Sequence, residues 1–557
     1  MASEQKIKPA RRFEGCPVSE TSSGIPIKPV YGPQDINNID YQRDLADPGE
    51  YPFTRGIWRD MYRGKLWTKR IFTGLGSPSD TNQRYKYLIE HGETGLYWQA
   101  DTPTNHMIDP DHPLAKGNVG VCGISFCRLA DIYDAFDGIS LEEVSFSNNS
   151  PTMAAPVTYA ALVAYAEDQG YDLKKLSGSF INEYLFSALT MYNMGHFPEE
   201  LSVKLSTDVI EYSIKHTPRI HPLAPNPYNL VEFGANAIQE IAFSVAIAGE
   251  YIERMLDRGY GIDEFATRIS VFGCTSDMDF FEQIAKFRAT RRLWAKLMRE
   301  RYGAKDPRSC RLYLSAHTCG SSLTRAQPVN NVIRIALQSL ACVLGGLQSF
   351  DPCGYAEPYY LMTEEEALTC LNTHHILSYE SRVAATADPL AGSYYVEWLT
   401  SKMEQEMWQV VNEIEQKGGA LKAIGWMREQ LEKGSMQKDK EIEGKKRVVV
   451  GLNDFIVPKE QEVPIKVSMY RPFEEQVVVS ERREREIREF RQRRDNKRTK
   501  EALEQLWSEA QQGERHNLIP AMIAALRGDA TMEEIIGVIR KANGYHYDPY
   551  KMVDYPF

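Results

Sequence analysis

The chain has 557 residues, 43% of them hydrophobic and 25% charged, and a formal net charge of -11 at pH 7. That balance excludes a disordered or fibrous protein, and the acidic sign excludes a nucleic-acid partner, which needs a concentrated basic face. No window reaches the roughly 18 consecutive apolar residues of a membrane span, and the polar start MASEQKIKPARRFEG lacks a signal-peptide core. A cytoplasmic enzyme without membrane contact is expected. The nine cysteines show no Cys-x-x-Cys pairing, so neither a zinc site nor a disulfide framework is expected.

Residues 1–50 are rich in Pro, Gly and polar groups and predict an extended N-terminal arm. From 51 to 400, eight short segments have strand character: 95–101, 119–126, 143–150, 176–182, 219–226, 268–274, 310–320 and 344–353. Helical periodicity fills most of the gaps between them, as in DFFEQIAKFRATRRLWAKLMRERYG and VNNVIRIALQSLACVLGG. This alternation predicts an α/β fold, a (β/α)8 TIM barrel. The interior of such a barrel is ordinarily packed with Val, Ile and Leu. Here SFSNNS, SAHTCGSS and HPLAPN are polar, so either they line a channel or they are loops at its mouth. Residues 401–557 predict a helical linker and C-terminal docking extension, with one strand-like piece at 447–457. In 481–500, ten Arg or Lys alternate with five acids, the pattern of a solvated or subunit-contacting helix.

Several segments resemble the large subunits of isobutyryl-CoA and methylmalonyl-CoA mutases: YPFTRGIWRDMYRGKLWTKRIFTG (51–74), IAKFRATRRLWA (284–295), PVNNVIRIAL (328–337), VLGGLQS (343–349) and ADPLAGSYYVE (387–397). The tail NLIPAMIAALRGDATMEEIIGVIRK (517–541) is more similar to the isobutyryl type. The resemblance implies an isomerase that performs a radical 1,2-rearrangement of an acyl-CoA with adenosylcobalamin, with coenzyme A threaded down a polar barrel axis. The family's Asp-x-His-x-x-Gly cobalt-ligand motif is missing from this sequence; DPDHPLAKG (109–117) has the wrong spacing. A separate small cobalamin-binding subunit is therefore implied, in a heterotetramer of two large and two small subunits.

The resemblance also implies site residues. Phe72, Tyr228, Asn229 and His317 fall at reacting-centre positions; Asn229 stands where the family has a His on the thioester carbonyl, and it can donate a hydrogen bond but cannot carry a proton. Gln99, Asn149 and Met191 fall at substrate positions, Met191 where methylmalonyl enzymes hold a carboxylate-binding Arg. Asn148 and Asn149 replace a Met-Thr pair. Trp58, Lys65, Thr68, Arg70, Ser147 and Arg288 are expected on coenzyme A, and Ala100, Glu232 and Glu357 on the cofactor. These replacements imply a substrate other than methylmalonyl-CoA, with a bulky, polar or aryl-bearing acyl group; the small Ala100 in place of an aromatic supports the aryl choice. The alternatives are an isobutyryl-CoA/n-butyryl-CoA mutase large subunit or a non-catalytic degenerate subunit. An ordinary barrel lyase would need a Lys nucleophile or a metal cluster, and neither is seen.

Overall fold

The computed structural model describes residues 18–150, 152–190, 197–462 and 473–557. Its eight strands are all paired in parallel: β1 (Thr68–Lys69), β2 (Gly95–Gln99), β3 (Ser145–Asn149), β4 (Gly178–Phe180), β5 (Ile220–His221), β6 (Ser270–Ser276), β7 (Tyr313–Thr318) and β8 (Ser349–Asp351). They form two four-stranded sheets, ordered β1-β8-β7-β6 and β2-β3-β4-β5, in place of the single closed ladder predicted. Isolated bonds link the sheet edges: Thr94 N–H donates to Lys69 O at 3.1 Å, Gln99 N–H to Thr73 O at 2.9 Å, and Ser270 N–H to Leu223 O at 3.1 Å.

Strand alternation explains the mixed sequence of these segments. In register, Tyr97, Ser147, Ser179 and His221 share one face of the second sheet, while Leu96, Trp98, Phe146 and Phe180 take the other. The apolar face packs on the helix Ala154–Asp168, which is buried all round from Ala154 to Ala166. That helix needs cover on its far side. The C-terminal helices Ile519–Arg527 and Met532–Ala542 provide it and share its core. A capping box, Thr531 with Glu534, starts the last of them.

Seven of the eight predicted segments contain strands, and one does not. Residues 119–126 make only the isolated bridge Ala100 to Ile124. The missing strand is β1, only two residues long and inside the 51–74 motif. The piece at 447–457 is a turn: Gly451, at φ 85°, reverses the chain, and Asn453 binds Val449 N–H at 2.7 Å and the carbonyls of Ile442 and Arg447 at 2.8 Å. The boundary placed at 400 falls inside the helix Tyr394–Gln416, which packs on the helix Phe280–Lys296.

The described part of the arm lies on the chain itself. Ser22 N–H donates to Asp279 at 2.8 Å, Ser23 N–H to Glu282 at 2.9 Å, and Tyr31 packs on Tyr395 and Trp398. The charged helix Phe473–Arg493 is anchored inward. Arg483 pairs with buried Asp131 at 2.9 Å and Arg491 with Asp109 and Asp111, while Arg494, just past the helix, pairs with Glu534 at 2.6 Å. Among the described residues no helix is long and apolar enough to cross a membrane.

Candidate active site

Parallel strands bring their C-terminal ends to one side, and the βα loops there build the sites of α/β enzymes. A cavity of about 200 Å³ opens at that end. Gln99 closes β2, Asn149 closes β3, His317 sits near the end of β7 and Asp351 ends β8; all four line it. Loops and short helices add Phe72, Asn226, Tyr228, Asn229, Cys353 and Glu357. Seven residues proposed from sequence thus meet in one place: Phe72, Gln99, Asn149, Tyr228, Asn229, His317 and Glu357.

Below the cavity lies a hydrophilic layer. Ser147 and Ser179 hydroxyls are 2.6 Å apart, those of Ser315 and Ser349 are 2.9 Å apart, and the His221 ring lies 4.9 Å from that of Tyr313. Burial lowers the His221 imidazole to about 4, so it is neutral at pH 7. No aliphatic side chain belongs to these pairs. SFSNNS and the first half of SAHTCGSS are therefore strand residues, whereas HPLAPN leaves its strand after His221 and the end of SAHTCGSS is a turn at the cavity mouth. Asn148 faces away from the cavity: its register with Trp98 and Phe180 puts it on the outer face, so only Asn149 of that pair meets the cavity.

Within the cavity the polar groups bind one another. His317 Nδ1 meets the Asp351 carboxylate, and Nε2 lies 3.0 Å from the Tyr97 hydroxyl. Asn149 donates to Gln99 Oε1 at 2.7 Å, and Asn226 to Asn149 Oδ1 at 3.5 Å. Phe72 packs against Tyr97 and His317, with centroids 5.2 and 6.2 Å away. Asn226 is held by a bulge in β6, where Gly273 has φ 69° and any Cβ would lie 2.1 Å from Asn226 Oδ1. Only glycine fits there. Burial raises the Asp351 carboxyl despite the opposing pull of His317. Glu357, by contrast, stands exposed at the cavity rim.

At the mouth, Tyr228, Glu232 and Glu357 converge on Gly320. Gly320 N–H donates to the Tyr228 hydroxyl at 2.9 Å and Ser321 N–H to Glu232 at 3.1 Å. A Cβ on Gly320 would stand 2.6 Å from the Tyr228 oxygen and 3.2 Å from Glu357 Oε1. The backbone is thus bare beside two carboxylates able to accept ribose hydroxyls.

The other proposed residues lie elsewhere. Ala100 is fully buried and does not line the cavity, so its small size makes no room for an acyl group there. Thr68 and Ser147 belong to the strand layers below, and Trp58 packs edge-on against Tyr313 at 5.9 Å. Arg70 is buried, donating to Leu96 O at 2.8 Å and Ser145 Oγ at 2.7 Å; burial lowers it to about 10. Lys65 is exposed. Arg288 is fully buried between Asp388 and Glu397, which already neutralise it, so the structure does not bring it to the others. Met191 lies outside the described residues. Sequence reasoning missed Asp351, Tyr97, Asn226 and Gly320. An acid at the end of a strand was a legible signal for Asp351; Tyr97 and Asn226 act through contacts that no local pattern shows.

Parallel sheets with a polar cavity at their strand ends are the arrangement of an α/β enzyme site. The methylmalonyl-CoA mutase family pattern matches residues 20–545, and the chain belongs to that family of cobalamin-dependent acyl-CoA isomerases. It is 37% identical over 522 residues to the 2-hydroxyisobutanoyl-CoA mutase large subunit of Aquincola tertiaricarbonis, covering 93% of this chain and 90% of that protein. It is 34% identical to the methylmalonyl-CoA mutase of Rhizobium meliloti (strain 1021) over 95% of this chain and 72% of that protein. Against the mitochondrial methylmalonyl-CoA mutase of Homo sapiens the identity is 34%, over 96% of this chain and 70% of that protein.

Proposed function

We propose that the chain is the large, substrate-binding subunit of a cytoplasmic adenosylcobalamin-dependent mutase that rearranges the carbon skeleton of an acyl-CoA with an uncharged, polar acyl group. Its eight strands would close into one barrel around the pantetheine arm, and a separate small subunit would bring the cobalt ligand, two of each forming a heterotetramer. The name of the Aquincola relative, a large subunit, supports the split arrangement.

One observation carries the substrate reading. The described residues lining the cavity include no Lys or Arg, and its carboxyl groups are Asp351 and Glu357. A free carboxylate on the substrate would be buried beside them without a cation, at a cost of several kcal/mol. An amide-lined wall of Gln99, Asn149, Asn226 and Asn229 suits a neutral oxygen instead. The residues at the mouth fit the cofactor: Glu232 and Glu357 can hold the adenosyl ribose across the bare Gly320 backbone. Adenosylcobalamin, when bound, supplies the radical chemistry. This chain's part is to orient the thioester, with Tyr228 and Asn229 at its carbonyl, and to exclude water.

The test is a panel of acyl-CoA thioesters assayed with the chain, its small subunit and adenosylcobalamin. Turnover of a hydroxylated acyl-CoA, and none of methylmalonyl-CoA, is expected. Turnover by the chain without the small subunit would refute the split arrangement, and exclusive activity on isobutyryl-CoA would refute the polar substrate.

A further inference from the structure

We infer that Asp351, His317 and Tyr97 are positioning residues: a one-way hydrogen-bond chain runs from Asp351 through His317, Tyr97 and Asn149 to Gln99, fixing the Gln99 amide as a donor toward the acyl group. The inference rests on the acyl-CoA mutase reading and deepens it.

The direction of every link follows from the first. The Asp351 carboxylate is 1% exposed and accepts the hydrogen on His317 Nδ1; in the neutral imidazole that tautomer leaves Nε2 as an acceptor. The wholly buried Tyr97 hydroxyl, 3.0 Å from Nε2, must then be the donor in that bond. Its oxygen is left to accept, and it does so from the Asn149 side-chain amide. Asn149 is 8% exposed and held from both ends: its Nδ2 also donates to Gln99 Oε1 at 2.7 Å, while its Oδ1 accepts from Asn226 at 3.5 Å. Gln99 Oε1 is therefore turned toward Asn149, which fixes the way round of the amide. Its Nε2 gives one N–H to Ala100 O at 3.1 Å, and the other hydrogen remains for the cavity that Gln99 lines.

A fixed donor in a dry site discriminates by what it lacks when unmatched. An acyl chain with a hydroxyl or keto oxygen satisfies the Gln99 N–H. The same chain without that oxygen leaves a buried donor unpaired, which is the stronger basis for rejection. Without Tyr97's hydroxyl, Asn149 and Gln99 are free to turn their amides over, and the cavity loses its defined polarity.

The experiment measures, by calorimetry on the purified full-length chain, the affinities of 3-hydroxybutyryl-CoA and butyryl-CoA. The wild-type chain should prefer the hydroxylated thioester. Gln99→Leu, Tyr97→Phe and Asp351→Asn should each reduce the ratio of the two affinities about tenfold, the worth of one hydrogen bond. A folding defect would weaken both thioesters together and leave the ratio unmoved, so the ratio reports positioning. If Gln99→Leu abolishes the preference while Tyr97→Phe and Asp351→Asn keep it, Gln99 reads the substrate without the chain behind it and the inference is overturned. Equal wild-type affinities overturn it while leaving the mutase reading intact. Binding of neither thioester overturns the acyl-CoA reading itself.

Discussion

Two buried aspartates in different regions of this molecule, Asp131 under the C-terminal charged helix and Asp351 in the cavity, resolve their charges in opposite ways. Under the C-terminal charged helix, burial alone would raise Asp131, but Arg483 and Arg128 outweigh it and hold it below its usual range; Asp109 beside it, paired with Arg491 but crowded by Asp111 and Glu534, is still raised to about 7. In the cavity, burial is left to win. Asp351 is raised although His317 and Arg70 both pull against burial. Burial against two arginines serves the fold at Asp131, whereas the weaker partnership of Asp351 with His317 is tolerated where chemistry needs it.

Breaking the paired side has the largest expected effect. Asp131→Ala leaves buried Arg483 with only the part-exposed Glu486 against its charge and should cost about 3 kcal/mol in urea unfolding. Replacing both partners, Asp131→Leu with Arg483→Met, should recover most of that loss. If the single and double variants are equally unstable, the pair is not what holds the helix.

A buried acid with no cation beside it, outside the cavity, should show itself through pH. Glu183, wholly buried after β4, is raised by burial to about 8 from 4.5. Its folded value lies above its unfolded one, so the stability it contributes is complete below about pH 4.5 and is lost as pH rises toward 8. Glu183→Gln should therefore match the wild type near pH 4.5 and exceed it progressively above, by up to about 1.4 kcal/mol per pH unit in denaturation series. A constant difference across that range would contradict the assignment.

Two smaller effects sharpen the contrast. Gly273→Ala should cost about 2 kcal/mol from its left-handed backbone and displace Asn226, so stability and thioester affinity should fall together. Lys497 and Glu501, exposed and 3.9 Å apart, should matter little: Lys497→Ala should change the unfolding free energy by less than about 0.5 kcal/mol.

Much of this was legible in sequence, for physical reasons. Strands such as 143–150 stood out because polar and apolar residues alternate along them, and the polar half proved to face inward. β1 was invisible because two residues have no periodicity. Residues 119–126 misled because their glycines permit close packing rather than pairing: a Cβ on Gly123 would lie 2.3 Å from the Ala100 backbone. The charged run at 481–500 pointed to one helix where the structure has two, Phe473–Arg493 and Asn496–Ala510, and it could not show their partners, since Asp109, Asp131 and Glu534 are distant in the chain. The cavity residues came from family likeness. The link from His317 to Asp351 joins two strands and leaves no local signature.

The most direct test is a crystal structure of the chain with a non-hydrolysable acyl-CoA analogue. The pantetheine arm should pass between the Ser147–Ser179 and Ser315–Ser349 pairs, with the acyl group against Gln99. An arm lying on the outer surface, with the serine layer closed on itself, would contradict the account.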